Sequence, residues 1–250
     1  MLGTQRPRRA ARPLLYPAAR GPAVAVVIGC VIITAALGLL LAGHSQPGRL
    51  DGFFDGHIDA RLGSHPHLAD VIYLGDPSWV VVICAVAVVA CLLARRWRGA
   101  LLVAIAVPVA GGLTDHILKP LVDRTNYGAL TYPSGHTAAV ATMVVVAVVI
   151  LTGPGRPPLS AGVRGLLSVG LLALIPWVAV GLVIAHYHYF TDTIGGAGVG
   201  IAVALGTALG LDWAAARLGA RAAPAQPDPA QPDPAERGGI PAPARELPRA

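Results

Sequence analysis

The chain has 250 residues, of which 54% are hydrophobic and only 13% charged, and its formal net charge is +6. This balance excludes an ordinary soluble domain and describes an integral membrane protein. The excess charge is arginine flanking apolar runs, which reads as a topology signal with affinity for anionic lipid and requires no nucleic acid partner.

Residues 1–21 form an Arg-rich tail with Arg6, Arg8, Arg9, Arg12 and Arg20. The first apolar run, Pro22 to Gly43, is long for a signal peptide and no small-residue cleavage site ends it, so it reads as a retained anchor. In the connection His44 to Pro77, Leu50, Phe53, Phe54, Ile58 and Leu62 recur at helical spacing with Asp51, Asp55, Asp59 and Arg61 between them. That pattern predicts an amphipathic helix in the interface. His57, His65 and His67 share the connection, but no Cys or Glu completes a ligand set, and neither a metal nor another cofactor is expected.

Five further runs of spanning character follow: Ser78 to Ala94, Ala100 to Leu118, His136 to Gly153, Leu166 to His186 and Thr193 to Ala216. The fold class expected is therefore all-α and integral to the membrane, a six-transmembrane-helix bundle over residues 22–216. Cys30, Cys84 and Cys91 fall inside spans and read as small buried hydrophobes. Residues 217–250, Pro- and Ala-rich with a repeated "AQPDP", read as an extended, disordered cytoplasmic tail.

Six spans put the N-terminal arginines, Arg95, Arg96 and Arg98, Arg156 and Arg164, and Arg217 and Arg221 on one side. By the positive-inside rule that side is cytoplasmic. Both termini are then cytoplasmic in a multi-pass protein of the cell membrane. Three polar clusters emerge on the opposite face: Lys119 and Arg124; Ser134, Gly135 and His136; and His186, His188 and Asp192.

Such a set suits a phosphoryl group. The free N–H groups of Ser134, Gly135 and His136 at a helix start make an anion site, Gly135 allows close backbone approach, and Lys119 and Arg124 bring positive charge. Asp192 can accept a bond from one nitrogen of His188 and leave the other as nucleophile. Asp115, four residues before Lys119, can pair with it and aim it. A helix cap at Asp192, buried structural histidines and snorkelling charges are the bland alternatives for the same residues.

"KPLVDR", "PSGHT" and, about fifty residues later, "HYFTD" resemble the type-2 phosphatidic acid phosphatase superfamily. "LDGFFDGHIDARLG", "YLGDPSW" and Gly195-Gly196 are also similar to its membrane members. The resemblance implies six helices and hydrolysis of a lipid phosphate monoester or pyrophosphate without a metal, on a polyprenyl or phosphatidyl lipid. It implies His188 as nucleophile, Asp192 as its partner, His136 as general acid, and Lys119, Ser134 and Gly135 as phosphate cradle. The family pattern is broken at Asn126, where an arginine is expected, and at Leu182, where another would precede the nucleophile. His186, one turn beyond Leu182, is a candidate for part of the missing charge, and Leu182→Arg is expected to raise activity. Phosphotransfer to another acceptor, or a catalytically silent protein binding anionic lipid, are the alternatives.

Overall fold

The computed structural model describes residues 12–222; residues 1–11 and the part of the tail expected over 223–250 lie outside them. The first span is α1 (Pro17–Leu41), which starts on a proline whose missing N–H would be unpaired there in any case. The amphipathic helix is α2 (Arg49–Leu62). A 3-10 helix (Pro66–Gly75) then leads into α3 (Pro77–Leu93) with a bend of 56°. Asp76 caps α3, accepting from Ser78 N at 2.9 Å, with Pro77 at the first helical position. The second span, short on sequence, is thus lengthened by a broken helix.

The third span is α4 (Trp97–Gly112), a π-helical turn (Leu113–Leu118) and a last turn, α5 (Lys119–Val122). Pro120 contributes no backbone N–H to this ladder, and wide π turns recur at functional sites because they re-aim side chains. Here the turn carries Asp115 and delivers Lys119. A two-residue hairpin follows, β1 (Thr125–Asn126) against β2 (Ala129–Leu130). Its loop residues Tyr127 and Gly128 have φ of 48° and 81°, the pair of positive values that suits a right-twisted hairpin.

The remaining spans are α6 (Gly135–Thr152), α7 (Ala161–Ile184) and α8 (Phe190–Ala222). Ser134 caps α6 and Ser160 caps α7 through their side chains. Helix α6 is the centre of the bundle, packed on α4, α7 and α8, while α8 also packs along α1. The α6–α8 crossing is close because α8 presents glycine there: a Cβ on Gly196 would stand 2.3 Å from the Ser134 carbonyl oxygen, and one on Gly200 2.5 Å from that of Ala138. Outward-facing Ile32, Leu39, Val81, Val86, Leu166 and Val169 are exposed, the surface a bilayer would cover.

At the arginine-rich end, Asp212 of α8 is buried and binds Arg98 at 2.6 Å and the backbone N–H groups of Leu14 and Leu15 at 2.8 and 3.1 Å. This carboxylate ties the N-terminal segment and the start of α4 to the end of α8. Lys119, His136 and His188 lie at the other end of the same helices.

Candidate active site

The start of α6 is built by local chemistry. Ser134 Oγ accepts from Thr137 N at 3.3 Å and from Thr137 Oγ1 at 3.1 Å, so the side chain acts as the cap. The Ser134 N–H donates to the Asp192 carbonyl at 2.9 Å and is therefore not free for an anion, contrary to the expectation. Gly135 and His136 keep N–H groups with no protein acceptor among the described residues, as the first turn of a helix must unless something outside supplies one. Lys119 stands beside this turn: a Cβ on Gly135 would meet Asp115 Oδ1 at 3.4 Å and Lys119 Nζ at 3.6 Å. Lys119 and Asp115 pair at 2.7 Å. Gly75 allows the 3-10 helix to press on the same point, since a Cβ there would lie 2.8 Å from the His136 backbone. The glycine of "YLGDPSW" is thus explained by close approach to His136.

His136 and His188 face each other with ring centroids 6.4 Å apart and planes inclined at 62°. His188, nearly buried, has Nδ1 3.6 Å from Asp192 Oδ2, beyond hydrogen-bonding distance, and that Nδ1 has no partner among the described residues. The expected bond is not made because both oxygens of Asp192 are held elsewhere. Oδ1 accepts from Arg124 Nη1 at 2.5 Å, and Oδ2 accepts from Tyr189 N at 3.1 Å, the reach of a third-position carboxylate back to the residue before its helix.

Arg124, expected at the phosphate, is instead wholly buried. Its Nη1 also donates to Thr191 Oγ1 at 2.7 Å, its Nη2 donates to Asp51 at 2.6 Å, and its Cζ lies 4.6 Å from the centre of the Tyr189 ring. Two carboxylates and a hydroxyl occupy the fork, so it is not offered to an incoming anion. His186 is exposed, with φ of 55° and Nδ1 3.9 Å from Asp59, and its carbonyl accepts from Asn126 Nδ2 at 3.1 Å. Leu182, expected within reach of the cradle, is fully buried among Val140, Val144 and Val178. The expectation that Leu182→Arg raises activity is therefore reversed: there is no polar partner for a guanidinium in that cluster.

Sequence reasoning missed the inner face of α2. Leu50 and Phe53 point outward and exposed, while Asp51, Asp55 and Asp59, spaced by four, turn toward the protein. Asp51 Oδ1 accepts from Thr191 N at 2.9 Å and Asp55 Oδ1 from Phe190 N at 3.1 Å, so α2 supplies acceptors to the first N–H groups of α8. Burial alone would raise the Asp51 carboxyl, but the bonds from Thr191 and Arg124 outweigh it and hold the group below the ordinary carboxylate range. Among the described residues Asp55 has no Lys or Arg paired with it; burial and the neighbouring Asp51 charge push it up to about 6. Asp55, Asn126, His186 and His188 line a cavity of about 560 Å³ that opens beside the nucleophile candidate.

Fold and site together define a multi-pass helical membrane protein in which two histidines, a lysine and a helix start converge at one end of the bundle. Residues 114–215 match the model of the PAP2 superfamily. The fold of the chain is similar to the crystal structure of a transmembrane PAP2-type phosphatidylglycerolphosphate phosphatase from Bacillus subtilis, with a TM-score of 0.55 and 16% identity, covering 81% of this chain and 98% of that one. No curated protein sequence matches the chain.

Proposed function

We propose that the chain is a phosphatase that hydrolyses a phosphate monoester or pyrophosphate of a membrane lipid, of polyprenyl or phosphatidyl type, through a phosphohistidine. The observation that carries this reading is the facing pair His136 and His188 over the unpaired N–H groups of Gly135 and His136, with Lys119 beside them. The match of residues 114–215 to the PAP2 superfamily model and the likeness of fold to a solved PAP2-type phosphatase support a phosphatase. The substrate named for the solved neighbour, phosphatidylglycerolphosphate, is one lipid to test.

In the first step the free ring nitrogen of His188 attacks phosphorus while the bond to the lipid oxygen breaks, and His136 gives that oxygen its proton. In the second, water attacks the phosphohistidine, His136 takes the water proton, the P–N bond breaks and phosphate leaves. Lys119 and the first N–H groups of α6 neutralise the equatorial oxygens throughout, so the step is written without a metal. Asp192 orients His188 once a small ring rotation closes the 3.6 Å gap, a tightening common on substrate binding.

The reading places the site at the outer leaflet of the cell membrane, because the arginine-rich ends of the same helices satisfy the positive-inside rule on the other side. Two measurements test it. Purified protein in detergent is given phosphatidic acid, phosphatidylglycerolphosphate and a polyprenyl pyrophosphate, with and without chelator; phosphate release that survives the chelator is expected, and none from any lipid overturns the reading in favour of a silent anionic-lipid binder. Transfer that requires a second acceptor would make it a phosphotransferase. For the leaflet, Tyr127→Cys on the hairpin tip, 91% exposed, is expected to react with an impermeant thiol reagent in intact cells. Reaction only after lysis would reverse the topology.

A further inference from the structure

Helix α2 enters the site through a chain of fully buried groups. Asp51, Arg124 and Asp192 are each at 0% exposure, and the guanidinium joins the carboxylates at 2.6 and 2.5 Å. Thr191 Oγ1 accepts from Arg124 and donates to Asp51 Oδ1 at 2.8 Å, closing the network on itself. Asp51 Oδ2 also accepts from Gly48 N at 3.0 Å, so that carboxylate is saturated and stationary. A planar fork with two terminal nitrogens is suited to bridging two carboxylates, where a lysine would serve one. The network holds one positive and two negative charges, and its far carboxylate is the one that faces the unpartnered Nδ1 of His188.

We propose that Asp51 and Arg124 are positioning residues of the phosphoryl site: through the shared guanidinium, α2 sets the place of Asp192 and how much of its charge His188 feels. The inference rests on the phosphatase reading. Arg124 draws on Asp192 only as strongly as Asp51 lets it, because both carboxylates compete for one cation. Removing Asp51 leaves Arg124 wholly to Asp192 and weakens the carboxylate's hold on the imidazole. Removing Arg124 leaves Asp192 uncompensated and strengthens it. The groups facing His188 are His136 from α6, Asp192 from α8, Asp55 from α2 and, in its own loop, His186; none of them is itself substituted in either variant.

The test is turnover of purified full-length protein in detergent over a range of pH, for wild type, Asp51→Asn, Arg124→Gln and the double variant, with Asp59→Asn as a control on the same face of α2. Asp51→Asn and Arg124→Gln are each expected to lower kcat at least roughly tenfold, the scale of one charge-assisted hydrogen bond, with KM changed less than about twofold. The acid limb of the rate profile moves down in Asp51→Asn and up in Arg124→Gln, a difference of sign that mere loosening of the fold would not produce. Asp59→Asn stays within about twofold of wild type. Should a single variant fail to fold, the double variant removes Arg124 and Asp51 together, so neither strands the other, while Asp192 keeps the bond from Tyr189 N; it is expected to fold and to keep the kcat loss. Folded variants with wild-type kcat, or limbs moving the same way, overturn the inference. An inactive wild type would fail the functional reading and this inference with it, whereas an active wild type with unaltered variants fails the inference alone.

Discussion

His136 at the start of α6 and His188 before α8 face one another at 6.4 Å between ring centroids, brought together from segments about fifty residues apart. At that separation the rings do not stack, and one group can be touched by both. If His188 attacks and His136 donates, one ring must be neutral while the other is charged, and the rate should pass through a maximum in pH. His188→Ala should abolish turnover. His136→Ala should lose about a hundredfold or more and accumulate acid-labile phosphoenzyme, detectable with radiolabelled substrate. Turnover in the His188 variant at the wild-type rate would refute the assignment.

Two glycines at the same helix start separate packing from chemistry. Gly196→Ala would drive a methyl into the Ser134 carbonyl at 2.3 Å, backbone against backbone, so α8 must move off α6. A stability loss of about 1–3 kcal/mol is expected, together with roughly a hundredfold loss of kcat from displacing His188 and Asp192. Gly135→Ala meets only ordinary contacts at 3.4 and 3.6 Å, so its unfolding midpoint should match wild type while KM rises as the methyl obstructs the anion. Equal melting of the two variants would contradict the packing account.

Leu182→Arg should not restore a missing phosphate ligand. The side chain is enclosed by Val140, Val144 and Val178, and an unpaired charge there costs about 2.5 kcal/mol or more. Low yield and aggregated protein on size-exclusion chromatography are expected. A well-folded variant with raised activity would mean that α7 turns relative to α6 when substrate binds.

Asp55 makes stability depend on pH in an unusual direction for a carboxylate. Its carboxyl is pushed up to about 6 in the folded chain, against about 4 when unfolded. The folded state therefore holds the proton more tightly; the stabilisation is complete below the unfolded value and is lost as pH rises through about 6. Asp55→Asn keeps an acceptor for Phe190 N and removes the charge. It should raise the unfolding free energy by about 1 kcal/mol at pH 7.5, after allowance for solvent screening, and by nothing at pH 4.5. The same gain at both pH values would assign the effect to something other than ionisation.

The spans and the end of the bundle where the polar clusters meet were legible in the sequence, because each rests on local physics. Hydropathy over about 20 residues decides a crossing, and the parity of six crossings puts Lys119, His136 and His188 at one end of the bundle without any knowledge of packing. Periodicity also showed that α2 has two faces. Which face turns inward could not be read from it, since the hydrophobic rule favours burying Leu50 and Phe53, and it is overruled by the unpaired N–H groups of α8 and by Arg124, partners far along the chain. For the same reason Arg124 read as a phosphate ligand and Leu182 as an empty arginine site. A charge near a motif and a gap in a pattern are properties of one segment, whereas occupancy of a guanidinium and burial of a leucine depend on three helices meeting, and tertiary structure alone decides that.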